Sequence, residues 1–255
     1  MFKSCVQPEA AEDEVRPQKS ITASITLSKT RSDVNQSLEV SSVKEEKLKL
    51  ERERLALMHE FENKYSDFAV ICGVDEAGRG PLAGPVCAGA CVLPKDCEIL
   101  YLNDSKKLSE KRREELYVEI KEKALSWAVG ICNNDAIDEI NILQATYRAM
   151  RSAISQITPA PDILLNDAVI IPEVDIKQVG IIKGDARSVS IAAASILAKV
   201  TRDHLMLEYD KLYPEYGFAA HKGYGTKQHM EAIRQYGLTP IHRKTFITDK
   251  VLGKK

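Results

Sequence analysis

The chain has 255 residues, a formal net charge of -1, and hydrophobic and charged fractions of 44% and 29%. This is ordinary for a soluble protein and long enough for one domain plus an appendage, and its charge alone gives no signal for a polyanion partner. No apolar run suits a signal peptide or a bilayer span, so the chain reads as cytoplasmic, with no membrane partner.

Residues 1–43 are polar, mixed in sign and without sustained periodicity, which predicts disorder. Over residues 44–66, Leu48, Leu55, Met58, Phe61 and Tyr65 recur at helical spacing among many charges. This predicts an amphipathic helix whose apolar stripe packs on the domain that follows. The folded unit, residues 67–255, opens with strands at Val70–Val74 and Pro85–Leu93 joined by a glycine-rich loop. Ser109 is the N-cap of a helix running to Ala124. Trp127–Cys132 is a strand, and Asp135–Ile157 is a long helix stopped by Thr158-Pro159. Ile163–Leu165 and Val179–Lys183 are short strands that run into Asn166-Asp167 and Gly184-Asp185. Residues 188–212 form an alanine-rich helix, small-sided enough to lie close against a sheet, and Thr226–Tyr236 is a last helix. Elements in this order imply an α/β layered domain.

Charge and cysteine placement add two readings. From His221 on, Lys222, Lys227, Arg234, Arg243, Lys244, Lys250, Lys254 and Lys255 face only Glu231 and Asp249. Such a basic C-terminal region is either a phosphate-contacting face or a solvated tail. Cys5, Cys72, Cys87, Cys91, Cys97 and Cys132 form no Cys-x-x-Cys pair and lie mostly in apolar runs. They read as buried reduced thiols rather than disulfides or a zinc site.

The most informative segment spans residues 71–86, where an apolar strand ends in Asp75 and Glu76 and a loop of Gly78, Arg79, Gly80 and Pro81 follows at once. Carboxylate oxygens suit hard cations, and glycines let backbone amides approach a substrate closely. A cation site and an anion-reading loop are therefore contiguous. Asp167 and Asp185 follow two further strands, and α/β sheets gather functional groups at strand ends. Four converging carboxylates repel one another unless cations are present. Two divalent ions can activate water and stabilise the leaving oxygen in a displacement at phosphorus. The blander readings are a turn former for Asp167 and a helix cap for Asp185. Neighbouring strand residues face opposite ways. Asp75 and Glu76 therefore share one site only if the backbone bends after Val74 or Glu76 acts through its carbonyl.

The run Gly73-Val-Asp-Glu-Ala-Gly-Arg-Gly-Pro81 closely resembles the opening motif of ribonuclease HII, the type 2 ribonuclease H family. Residues 183–203, Asp104-Ser-Lys106 and His221-Lys-Gly-Tyr-Gly-Thr226 are similar to further motifs of that family, in family order over roughly residues 67–245. The resemblance implies a ribonuclease H-like mixed sheet flanked by helices, with a C-terminal helical region and an N-terminal extension outside the match. It implies a metal-dependent endonuclease that cuts the RNA strand of RNA–DNA hybrids. Such an enzyme also nicks duplex DNA 5′ to a single embedded ribonucleotide, leaving 3′-hydroxyl and 5′-phosphate ends. Asp75, Glu76, Asp167 and Asp185 match the family's catalytic carboxylates, which hold two Mn2+ or Mg2+ ions. Gly78, Arg79 and Gly80 match the loop whose backbone senses the ribose 2′-hydroxyl, the group that distinguishes RNA from DNA. Lys106 matches a phosphate contact, and Tyr224 the aromatic that stacks on the following deoxyribose. Alone, those two read as a solvated charge and a surface aromatic.

One position departs from the family pattern: Ala168 stands where a glycine usually follows the third aspartate. If that position has positive φ, alanine strains the turn. His221, His229 and His242 make no recognised metal motif and read as phosphate contacts or surface residues. A sister ribonuclease HIII is disfavoured because residues 1–70 show no strand pattern for its platform domain. A non-catalytic hybrid-binding protein is disfavoured by the full carboxylate set, and an ATPase by the absence of a P-loop. The expected state is a monomer. Thr245-Phe246-Ile247 is a candidate replication-clamp contact, with packing on the domain the favoured reading.

Overall fold

A computed structural model describes residues 31–254, with side chains from Lys44 on. Residues 1–30, with Cys5 and most of the polar tail expected at residues 1–43, lie outside the described residues. Helix α1 (Arg31–Leu57) begins before the apolar periodicity does, and the chain breaks at Met58-His59 before α2 (Glu60–Lys64). The break has a packing reason. Leu55 and Met58 join a core with Val189, Ala193 and Ile196, whereas Phe61 joins Leu165, Ile181 and Ile191. A turn between them lets one short segment cover two apolar surfaces.

Five strands form one mixed sheet: β1 (Ile71–Ala77), β2 (Val86–Val92), β3 (Ser126–Cys132), β4 (Ile163–Asp167) and β5 (Lys177–Ile181). Their spatial order is β3-β2-β1-β4-β5. β1 pairs antiparallel with β2, and β2 with β3, while β1–β4 and β4–β5 are parallel. Helices α3 (Glu110–Lys123), α4 (Asn134–Ile154) and α5 (Val189–Leu212) cover the sheet. Alternation along β1 divides the two faces. Cys72 and Val74 pack with Ala145, Ala149 and Met150 of α4, whereas Gly73 faces α5. A Cβ on Gly73 would overlap the Ser190 backbone, and one on Gly89 the Ala194 carbonyl, so α5 sits directly on the sheet as its alanine content implies. Side-chain caps fix where the helices begin: Ser109 accepts from Arg112 N–H, Asn133 from Ala136, Ser188 from Ile191 and Thr226 from His229. Each such cap contributes about 1 kcal/mol.

The C-terminal helical region contains α6 (Phe218–His221), α7 (Lys227–Tyr236) and α8 (Asp249–Leu252). Here the structure corrects the surface reading of the histidines and Arg243. Arg243 and His229 are both 0% exposed, and His221 and His242 are buried too, among Tyr216 and Phe218. Hydrogen bonding explains the burial. His242 Nδ1 accepts Thr239 N–H at 2.9 Å, so its Nε2–H donates to His229 Nε2 at 3.1 Å. His229 Nδ1–H then donates to the Tyr224 carbonyl at 2.9 Å. Every ring nitrogen is satisfied only when both rings are neutral.

Thr245 donates its N–H and hydroxyl to Asp138, and Phe246 packs on the main core, so this segment packs on the domain. Among the described residues no helix is long and apolar enough to cross a membrane. The described cysteines are free and buried, and burial pushes the Cys72 thiol up to about 12.

Two stability tests come out of this arrangement. Burial pulls His229 and His242 down to about 4, whereas histidine in an unfolded chain titrates near 6.5. Between those values the unfolded chain takes up protons that the folded chain refuses, so this contribution is lost as pH falls. Tm should decline across that window, and NMR at about pH 5 should find both rings neutral in the folded protein. Charged rings at that pH would overturn the tautomer assignment. At the end of β4, Ala168 has φ 56°, the strained conformation anticipated for that position. A left-handed L-residue costs roughly 1–2 kcal/mol, part of which glycine returns through unfolded-state entropy. Ala168→Gly should therefore stabilise the fold by about 1 kcal/mol and raise Tm by roughly 2–4 °C in a melting experiment.

Candidate active site

Parallel pairing places the carboxyl ends of β1, β4 and β5 side by side. Val74 lies opposite Asn166, so the next residues, Asp75 and Asp167, emerge together. Asp167 pairs with Ile181, after which Lys183 at φ 57° and a 3-10 turn at Gly184–Ala186 bring Asp185 back toward the same edge. Carboxylate oxygens of Asp75, Asp167 and Asp185 all lie within 4.8 Å of one another. Asp185 is not the cap of α5, a role filled by Ser188. Asp167 does hold its turn, accepting Gly184 N–H at 2.8 Å, while still facing the other two aspartates.

Glu76 is placed differently. β1 stays extended through Ala77, so the Asp75 and Glu76 side chains diverge. Asp75 shares with Gly73 the face of β1 that meets α5, and its carboxylate accepts Glu76 N–H at 2.7 Å. Glu76 lies outside the three-aspartate cluster, with Oε1 3.2 Å from Arg79 Nη1.

The electrostatics of the cluster follow from burial of like charges. Burial, then the neighbouring Glu76 and Asp167 charges, push Asp75 well above the usual carboxylate range. Burial, then Asp104 and Asp167, raise Asp185 to about 6. Burial also raises Glu76, against the pull of Arg79. Burial opposes the charge on Lys106, but Asp75, Asp104, Asp185 and Asp167 together hold its ammonium above the ordinary range. This oxygen-only donor set suits hard divalent cations, whose charge removes the repulsion that raises the carboxylates.

Beside the cluster lies a depression of about 250 Å³ whose lining includes Glu76, Gly78, Arg79, Gly80, Lys106 and Tyr224. The residues expected to read substrate thus share one groove. Tyr224 is 46% exposed, and Gly80 lies near the Cε1 edge of its ring. Sequence reasoning assigned no role to Ser195, Ser105 or Arg202, although all three lie inside the quoted motifs. Ser105 Oγ and Ser195 Oγ are 2.9 Å apart and buried. That contact ties the Asp104–Lys106 turn to α5. Arg202 lines the same groove from beneath.

A sequence model of the family described as Ribonuclease HII matches residues 72–249. A ribonuclease HII of Lachnoclostridium phytofermentans is 62% identical over 202 residues, covering 79% of this chain and 80% of that one. One of Ruminiclostridium cellulolyticum is 53% identical over 248 residues, 96% of each chain. The ribonuclease H2 structure of Pyrococcus horikoshii OT3 superposes with a TM-score of 0.61 at 28% identity, over 72% of this chain and 97% of that one. The agreement runs from motif to whole sequence to fold, and the chain belongs to the ribonuclease HII family, hydrolases that cut RNA in RNA–DNA hybrids and at ribonucleotides embedded in DNA.

Proposed function

We propose that this chain nicks duplex DNA on the 5′ side of a single embedded ribonucleotide and cuts the RNA strand of longer hybrids, using two Mn2+ or Mg2+ ions. The observation that carries this reading is the approach of Asp75, Asp167 and Asp185 to within 4.8 Å, at the end of a groove lined by Gly78, Arg79, Gly80, Lys106 and Tyr224.

Each residue takes a role that its surroundings allow. Asp75, Asp167 and Asp185 hold the cations. Bound divalent ions supply Lewis acidity to the phosphoryl group and make water a nucleophile at neutral pH. Glu76 joins the site after leaving Arg79, or through its main chain. Lys106 places its ammonium on a phosphate of the cleaved strand. Backbone amides of the Gly78–Gly80 loop bond the ribose 2′-hydroxyl. Tyr224 packs on the deoxyribose that follows, where a second 2′-oxygen disturbs the contact, so loop and ring together read an RNA-to-DNA junction. The products are a 3′-hydroxyl and a 5′-phosphate.

A duplex with one ribonucleotide, incubated with Mn2+ or Mg2+ beside an all-DNA control, tests the reading directly. A metal-dependent nick on the 5′ side is expected, and cleavage of long hybrid alone would replace the junction activity with a hybrid-only one. Asp75→Asn should remove several kcal/mol of charge stabilisation, about a thousandfold or more in rate, with duplex binding retained by fluorescence anisotropy. Near-normal turnover would exclude Asp75 as a cation ligand. Aromatic stacking contributes about 1–3 kcal/mol, so Tyr224→Ala should slow single-ribonucleotide nicking roughly 10- to 100-fold more than hybrid cleavage. Equal losses on the two substrates would remove its reading role.

A further inference from the structure

Two arginines outside the carboxylate chemistry, Arg202 on α5 and Arg243 beyond α7, are 1% and 0% exposed. Neither is in an ion pair among the described residues. Asp203, adjacent in sequence to Arg202, is paired with Lys199 at 2.7 Å and Arg113 at 4.0 Å. The partners of both guanidinium groups are backbone carbonyls. Arg243 donates to Gly78 (2.6 Å), Arg79 (2.9 Å), Gly84 (2.9 Å) and Pro85 (3.1 Å). Arg202 donates to Pro85 (2.9 Å), Ala83 (3.1 Å) and Lys222 (2.9 Å). The Pro85 carbonyl bridges the two.

This arrangement dictates which way the loop's amides point. A guanidinium presents its N–H groups in a rigid fork, so the carbonyls that fill it must turn inward. In a trans peptide the N–H of the next residue points opposite to that carbonyl. With the Gly78 and Arg79 carbonyls held inward, the N–H groups of Arg79 and Gly80 are presented on the opposite, groove side. Gly78 has φ 95°, and a Cβ there would overlap the Arg202 side chain, so the buried arginine is one reason this position is glycine. The same pair reaches the aromatic. Arg202 holds the Lys222 carbonyl, two residues before Tyr224, and its Cζ lies 6.0 Å from the Tyr224 ring centroid. Backbone bonds complete the fastening: Leu82 N–H to Gly223 O at 2.8 Å, Gly84 N–H to Ile241 O and Arg243 N–H to Leu82 O, both at 2.9 Å.

We infer that Arg202 and Arg243 are a positioning pair that holds the Gly78–Gly80 amides and Tyr224 in one frame, and thereby sets the preference for a single embedded ribonucleotide over a long hybrid. The inference rests on the junction reading proposed above and deepens it. Lysine in place of arginine keeps the charge but loses the fork.

Arg243→Lys is therefore the informative variant. Its kcat/KM on a single-ribonucleotide duplex and on a long hybrid is compared with wild type, alongside Tm, hydrogen exchange over residues 77–85 and 221–226, and calorimetric Mn2+ binding. The expected result is faster exchange in both segments, unchanged Mn2+ binding, and a junction-to-hybrid ratio reduced at least about tenfold. Arg202→Lys, which loosens the Lys222 tether, gives the same readout if Arg243→Lys does not fold. Equal losses on both substrates, or losses that follow only Tm, overturn the inference. Tyr224→Ala in the same assays separates it from the parent reading. A ratio unchanged by Tyr224→Ala but lowered by Arg243→Lys leaves the pair acting through the loop amides and removes the role of Tyr224. A ratio that neither variant alters removes the pair.

Discussion

Three carboxylates held within 4.8 Å in a largely buried site repel one another, and much of the fold is a means of keeping them there. Parallel pairing of β1, β4 and β5 sets the separation, because it brings three chain reversals to one sheet edge. The glycines at 73 and 89 let α5 settle on β1 and β2 without intervening side chains. On α5, Ser195 Oγ meets Ser105 Oγ at 2.9 Å, which fastens the Asp104–Lys106 turn to the helix. The backbone N–H groups of Glu76 and Gly184 donate to Asp75 and Asp167 and steady them. The residual repulsion of this oxygen-only set suits a compact, doubly charged cation.

The turn carrying Asp185 is a short 3-10 segment with a left-handed residue at Lys183, a geometry that the turn alone holds at a cost. The short helix α2 and the break before it support that turn from outside. Glu62 Oε1 accepts from Ser188 Oγ at 2.6 Å and Ser190 N–H at 3.0 Å, and the Met58 carbonyl accepts Val189 N–H at 3.1 Å. Glu60 pairs with Arg187 at 2.9 Å. An acidic group at the start of a long helix is favoured by the helix dipole as well as by the bonds it accepts. Residues 58–62, outside the matched family segment, are thus packed into the scaffold of the acidic site rather than appended to it.

What the sequence made legible follows from what its patterns encode. Strand ends and helix caps are local, so the Ser109 cap and the helix near Thr226–Tyr236 were legible, and of the four carboxylates expected to converge from strand ends, Asp75, Asp167 and Asp185 do. Strain at Ala168 was expected only on the condition that its position has positive φ, and the residue does stand at φ 56°. Residues whose environment is made by distant backbone were not legible. Arg243 and the histidines look like a basic surface run, yet carbonyls and ring nitrogens from several segments bury them. A charge count has no means of registering a partner that is a peptide dipole. The α1–α2 break was hidden for a related reason, since two separate surfaces shared one helical periodicity.

Glu76 shows how the acidic site and the reading loop are joined. Strand alternation turns its side chain away from Asp75, and Arg79, in the middle of the Gly-Arg-Gly loop, takes it up at 3.2 Å. Arg79 is 45% exposed at the side chain, so solvent screens that ion pair heavily and it contributes at most about 1 kcal/mol. An interaction that weak gives way readily to a stronger one. On the function proposed above, a phosphodiester in the groove would compete for Arg79, and a divalent cation held by the aspartates would compete for Glu76. Each exchange would free the partner that the other requires. Occupation of the groove and completion of the acidic set would then favour each other through one surface ion pair.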